Sequence, residues 1–146
     1  ETLVTDMMSL TTVQLVICAA VLVVDMYSTT GVYVNTCGAA KPDDSGFVAS
    51  INFPFETPAS TLCAYTVALK SPGRIAYYFL NFNITNSAQC KQESVTVNQI
   101  TTGPIDYCGN IEKVETVFTQ SNKLIVIFKT SKGGNSGAFL LFYYKH

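Results

Sequence analysis

Charge is scarce in this 146-residue chain. Lys and Arg number 9 and Asp and Glu 10, so charged residues are 13% of the chain, against about a quarter in an ordinary soluble domain. Ser, Thr and Asn are abundant instead, which implies a surface of hydroxyls and amides and favours an extracellular setting over a cytosolic one. The net charge is -1, and Lys123, Lys129 and Lys132 are the nearest thing to a basic cluster. That is too little to neutralise a phosphate backbone, so no nucleic-acid partner is expected, and heparin-type ligands are disfavoured for the same reason. Histidine is scarcer still, with His146 the single one. Ser-His-Asp and Cys-His nucleophile arrangements therefore fall away, and zinc is disfavoured because there is no C-x-x-C either. The pairs Asp43-Asp44 and Glu112 with Glu115 read as loop or exposed-face charges rather than carboxylates converging in a cleft. Neither an enzymatic activity nor a cofactor is expected. No internal repeat and no disordered tract is present.

Apolar residues make up 48% of the chain, enough for the core of one domain. Residues 13–24 are apolar apart from Gln14, the length of a signal-peptide core and short of the roughly 20 residues a membrane-spanning helix needs. The usual basic n-region is missing, since Lys41 is the first basic residue, and Met7 offers an alternative start. Ser28, Thr29, Thr30 and Gly31 place cleavage after Thr30 or Gly31. The expected organisation is a leader over 1–31, with an apolar leader helix, and one secreted domain over 32–146. A membrane enters only if the leader is uncleaved. In the competing reading the run 13–24 is kept as an anchor and the chain is a structural subunit of a larger extracellular assembly. Of five cysteines, Cys18 lies in the leader, which leaves Cys37, Cys63, Cys90 and Cys108 as an even set. Two disulfides follow, in any of three connectivities.

Downstream of Cys37, short alternating segments separated by turn residues predict an all-β, two-sheet antiparallel sandwich. Residues 46–51 form a first strand, and Pro54 and Pro58 bracket a loop. Residues 63–69 put Cys63, Tyr65, Val67 and Leu69 on one face, and Ser71-Pro72-Gly73 turns them into a hairpin with the next strand. In that strand Ile75, Tyr77 and Phe79 alternate with Arg74, Ala76 and Tyr78. It runs into Asn83-Ile84-Thr85, a glycan acceptor expected on a surface loop where the strand ends. Residues 93–98 alternate around Val95 and Val97, and residues 113–119 alternate again. Leu124, Val126 and Phe128 interleave with Ile125 and Ile127, apolar on both faces, which predicts a buried strand central in its sheet. The turn Lys132-Gly133-Gly134-Asn135-Ser136-Gly137 then joins it to residues 138–144 as a second hairpin. In Tyr77-Tyr78 and Tyr143-Tyr144 one ring of each pair must face the core, and the other is a candidate contact.

The order of these features resembles a CUB domain, an extracellular jelly-roll sandwich of roughly 110 residues that packs by the sandwich rules. The resemblance covers residues 37–144. Cys37-Gly38 is similar to the opening pair, and Gly46 with Ser50-Ile51-Asn52-Phe53-Pro54 to the family's glycine and SPNYP-like turn. Cys63-Ala64-Tyr65 stands where the family has C-x-W, and residues 73–82 resemble the signature strand. Cys90-Lys91-Gln92-Glu93-Ser94-Val95 is similar to C-x-x-D-x-V, Tyr107-Cys108-Gly109 to the CG pair, and residues 137–144 to the closing strand. The resemblance implies the pairs Cys37 to Cys63 and Cys90 to Cys108, closing loops of around 20 to 27 residues worth roughly 3 kcal/mol each. It also places the calcium ligands found in many CUB domains at Thr85, Glu93 and Ser131, with a supporting position near Thr57. One carboxylate among hydroxyls is too little charge for a calcium ion, so no metal is expected and Glu93 reads as a solvated strand-edge residue. The implied function is that of a solitary, spermadhesin-like CUB protein, a secreted module binding an extracellular protein or carbohydrate without calcium. Because binding concentrates on loops carried by a rigid sandwich, Phe55, Glu56, Asn86, Gln89 and Asn135 are the candidate partner contacts.

Overall fold

The structure, a computed structural model, describes residues 32–34, 37–39, 42–111, 115–133 and 136–146. The expected leader over 1–31, with its expected helix and Cys18, and also Lys41, Glu112, Lys113, Val114 and Asn135, lie outside the described residues. Eleven strands are present among them: β1 (Val32–Val34), β2 (Gly38–Ala39), β3 (Ser45–Ala49), β4 (Leu62–Ala68), β5 (Ile75–Ile84), β6 (Ser94–Asn98), β7 (Pro104–Tyr107), β8 (Gly109–Asn110), β9 (Val117–Phe118), β10 (Lys123–Lys129) and β11 (Ala138–Lys145). One sheet runs β1-β3-β11-β5-β8, with β9 also on β5, and the other β2-β4-β10-β6-β7. The pairing is antiparallel except that β1 joins β3 and β2 joins β4 in parallel.

The core forms where the inward faces of the two sheets meet. Cys63, Tyr65 and Val67 of β4, Val95 and Val97 of β6, and Leu124, Val126 and Phe128 of β10 face Ile75, Tyr77 and Phe79 of β5 and Phe139, Leu141 and Tyr143 of β11. Burying aromatic rings on this scale dominates the energetics, and the rings meet edge-on, Phe79 to Phe82 at 4.7 Å and Phe128 to Phe139 at 5.3 Å. Strand β10 is central in its sheet, with Leu124, Val126 and Phe128 fully buried and Ile125 and Ile127 half-buried on the other face. Two glycines are required by close approach. A Cβ on Gly46 would stand 2.7 Å from the Tyr143 hydroxyl, and one on Gly137 would stand 1.6 Å from the Asn83 carbonyl oxygen.

Three strand-level expectations need correction. Neither expected hairpin exists: β4 and β5 lie in different sheets, as do β10 and β11, whose partners are β3 and β5. Alternation specifies which side chains face the core, and strands on either side of one core satisfy it equally well, so chain neighbours crossed between sheets. Of the segment 113–119, among the described residues 115–119 only Val117–Phe118 is strand, with Val117 packed on the core and Phe118 exposed. Asn83 lies within β5, between Asn110 and Ala138, rather than on a loop. Its strand also changes phase. Leu141 pairs with Phe79 and Leu140 with Asn81, leaving Leu80 as the extra residue of a bulge. The inward set Ile75, Tyr77, Phe79 therefore continues as Phe82 and Ile84, and Asn83 points outward and is exposed.

Candidate functional site at one loop end

Glu93 precedes β6 in phase with Val95 and Val97, and so turns inward with them. It is 3% exposed, which corrects the expectation of a solvated edge residue. A buried carboxylate must be satisfied, and both its oxygens are. Ser136 Oγ donates to Oε2 at 2.8 Å, and the Ser131 N–H donates to Oε1 at 3.2 Å. The side chains of Thr85 and Ser131 also hydrogen-bond to it. Burial pushes the carboxyl up, but these bonds from Thr85, Ser136 and Ser131 outweigh it and hold Glu93 below its usual range.

Through those donors Glu93 joins three segments. Ser136 is wholly buried and pairs with Thr57, the Thr57 N–H donating to the Ser136 carbonyl at 2.8 Å and the Ser136 N–H returning at 2.9 Å. Thr57 Oγ1 donates to the Ile51 carbonyl at 3.0 Å. Ser60 N–H donates to the Ser131 carbonyl at 2.7 Å, and Thr130 Oγ1 donates to the Pro58 carbonyl at 3.0 Å while accepting from the Thr61 N–H at 2.7 Å. Residues 57–61 are thus stitched to Thr130, Ser131 and Ser136. The third segment follows β5: Thr85 reaches Glu93, and Ala88–Cys90 forms a short 3-10 turn tied down by the Cys90–Cys108 disulfide. The second disulfide joins Cys37 to Cys63 on β4.

The positions implied by the resemblance therefore do converge, Thr85, Ser131 and Glu93 at one point with Thr57 one bridge away. They form a carboxylate enclosed by N–H and O–H donors. That set fits a calcium ion poorly, because a cation needs clustered oxygens with free lone pairs whereas here hydrogens point at the carboxylate. Among the described residues no group of three His, Cys, Asp or Glu could hold a metal ion.

The candidate contacts other than Asn135, which lies outside the described residues, decorate this end. Phe55 is 76% exposed, at the tip of a turn wound by the Phe55 N–H donating to the Asn52 carbonyl at 2.7 Å and the Phe53 N–H donating to the Ser50 carbonyl at 3.1 Å. Asn52 takes a φ of 67° and the Phe53-Pro54 peptide is cis. Glu56, Asn86 and Gln89 are exposed as well. Asn86 adjoins Thr85, and Glu56 adjoins Thr57, so both groups are carried on segments that Glu93 unites. Ser136, by contrast, is wholly buried although it neighbours the candidate contact Asn135 in sequence. Sequence reasoning missed its role and that of Glu93, although the shared phase of Glu93, Val95 and Val97 was a usable signal.

The CUB domain family model matches residues 37–143 of the chain. Among curated proteins, cubilin of Sus scrofa is 34% identical over 107 residues, which are 70% of this chain and 3% of that protein. The chain thus spans only a small fraction of the curated relatives it matches. Among solved structures, the CUB1-EGF-CUB2 domain of human MASP-1/3 superposes with a TM-score of 0.67 at 20% identity, covering 77% of this chain and 43% of that one. A structure of the MASP-1 CUB2 domain bound to Ca2+ gives 0.61 at 21% identity, covering 80% of this chain and 99% of that one. At these identities the structural likeness concerns the fold.

Proposed function

The chain belongs to the CUB family, and from that premise we propose that it is a secreted, calcium-independent recognition module that binds an extracellular protein or carbohydrate through the Glu93 loop end. The observation that carries this reading is the pairing of a preorganised platform with an exposed anchor. Glu93 and its donors hold three segments in place, and Phe55 stands 76% exposed on one of them. An aromatic whose backbone is already fixed in a hydrogen-bonded turn loses less entropy on docking, which is how an interface anchor acts. The hydrogen-bonded carboxylate does here, without an ion, what a cation does when it ties loops together. Residues 1–31 serve as the leader in this reading, so the mature protein starts near residue 31 by intact mass.

The test uses the secreted protein immobilised and exposed to its native extracellular fluid, beside Phe55→Ala and, from the opposite end of the sandwich, Lys123→Ala. Ligand retained by the parent and by Lys123→Ala and lost with Phe55→Ala is the expected outcome. Equal retention by Phe55→Ala overturns the assignment of this end.

A further inference from the structure

The outer face of the six-stranded sheet carries a strip of uncharged, largely apolar side chains. Phe47 of β3, Phe142 of β11 and Tyr78 of β5 lie side by side across three strands, with ring centroids 5.0 and 5.4 Å apart, and Tyr144 stacks on Phe142 at 5.9 Å. All four rings are half-buried. In the next row toward the Glu93 end, Leu140 lies opposite Asn81, with Leu80 of the bulge 48% exposed. One row further, on the same face, is Asn83 of the acceptor Asn83-Ile84-Thr85, exposed between Ala138 and Asn110. Two rows of a strand are about 13 Å, a span that a chain of two sugars covers.

We propose that Asn83 carries an N-linked glycan whose first sugars lie over this strip, covering Leu80, Leu140, Tyr78 and Phe142. The proposal rests on the extracellular reading, because it requires the secretory route. In the transfer, Asn83 Nδ2 loses a proton and bonds the anomeric carbon of a lipid-pyrophosphate-linked oligosaccharide. The bond from that carbon to the pyrophosphate oxygen breaks, and the lipid pyrophosphate leaves with the electron pair, so no redox partner is involved. A sugar ring has an apolar face of C–H groups and a hydroxyl rim, so it can cover aromatic and aliphatic side chains while its rim stays hydrated. Covalent attachment at the end of the strip makes the contact intramolecular, and a weak stacking preference then suffices. An apolar strip left open on a secreted protein invites association. The bulge matters here, since it lets the outward row of β5 end on Asn83 while Phe82 and Ile84 stay in the core.

The full chain is expressed in a cell that glycosylates secreted proteins, and intact mass gives occupancy of Asn83. Hydroxyl-radical footprinting then compares the glycosylated protein, the same protein trimmed enzymatically to one sugar, and Asn83→Gln. The expected result is labelling of Tyr78 and Phe142 higher by about twofold in Asn83→Gln than in the glycosylated protein, with the trimmed form between them and Phe55 unchanged. Equal labelling in all three forms overturns the proposal, as does protection in Asn83→Gln that depends on protein concentration, which would assign the strip to a second copy. A secreted chain with bare Asn83 overturns this proposal alone, whereas a chain that never enters the secretory route overturns the extracellular reading with it.

Discussion

Glu93 and Asp44 sit at opposite ends of the sandwich and each gathers serine donors, yet only Glu93 does so out of water. Asp44 precedes β3, near the start of β5. Its carboxylate accepts from the Ser71 N–H at 2.9 Å and the Ser71 hydroxyl at 2.5 Å, with Lys145 Nζ 4.0 Å away. The Ser71 side-chain bond leads in holding the Asp44 carboxyl below its usual range, yet the side chain is 41% exposed. Glu93 makes comparable bonds at 3% exposure. Water replaces the partners of Asp44 at no great cost, whereas the partners of Glu93 have no substitute. The same chemistry is therefore surface decoration at one end and a structural joint at the other.

The widest separation between the two should come from truncation. Glu93→Ala strands the buried Ser136 hydroxyl and removes the acceptor of the half-buried Ser131 N–H, and a loss of about 2–3 kcal/mol is expected in denaturant unfolding. A change as small as that of an exposed residue would dissolve the distinction. A subtler contrast lies in pH. The folded pKa of Glu93 is below its ordinary value of 4.5, so its contribution is complete above that value and is lost as pH falls through the folded pKa. The stability gap between the parent and Glu93→Gln should thus close on acidification, and a gap that widens would reverse the sign. Asp44→Ala is expected to give the smallest effect, a melting temperature near that of the parent and insensitive to salt, because little was there to screen.

The residues behind the fold were legible where they alternate. Tyr65, Val67, Tyr77, Leu124, Val126, Phe128 and Tyr143 all face inward, and Tyr78 and Tyr144 outward, as their phase requires. The CUB identity and its two cysteine pairs came from motif order rather than from alternation. Strand neighbours were not legible, because a phase names a face and not a partner, and so β4 and β10 were matched to the wrong strands. Leu80 was equally hidden, since a bulge inserts one residue without any composition signal, and it moved Asn83 from a loop to a sheet face. Glu93 was misread for a different reason. A carboxylate in phase with Val95 and Val97 is costly inside, and the donors that offset the cost, Ser131 and Ser136, are about forty residues away in the chain.

The central claim is that this carboxylate and its hydroxyl and amide donors hold the loop end without a metal ion. Thermal unfolding of the CUB domain in excess EGTA and again in millimolar calcium tests it most directly. The account predicts the same melting temperature in both, and a clear rise with calcium that Glu93→Gln abolishes would contradict it.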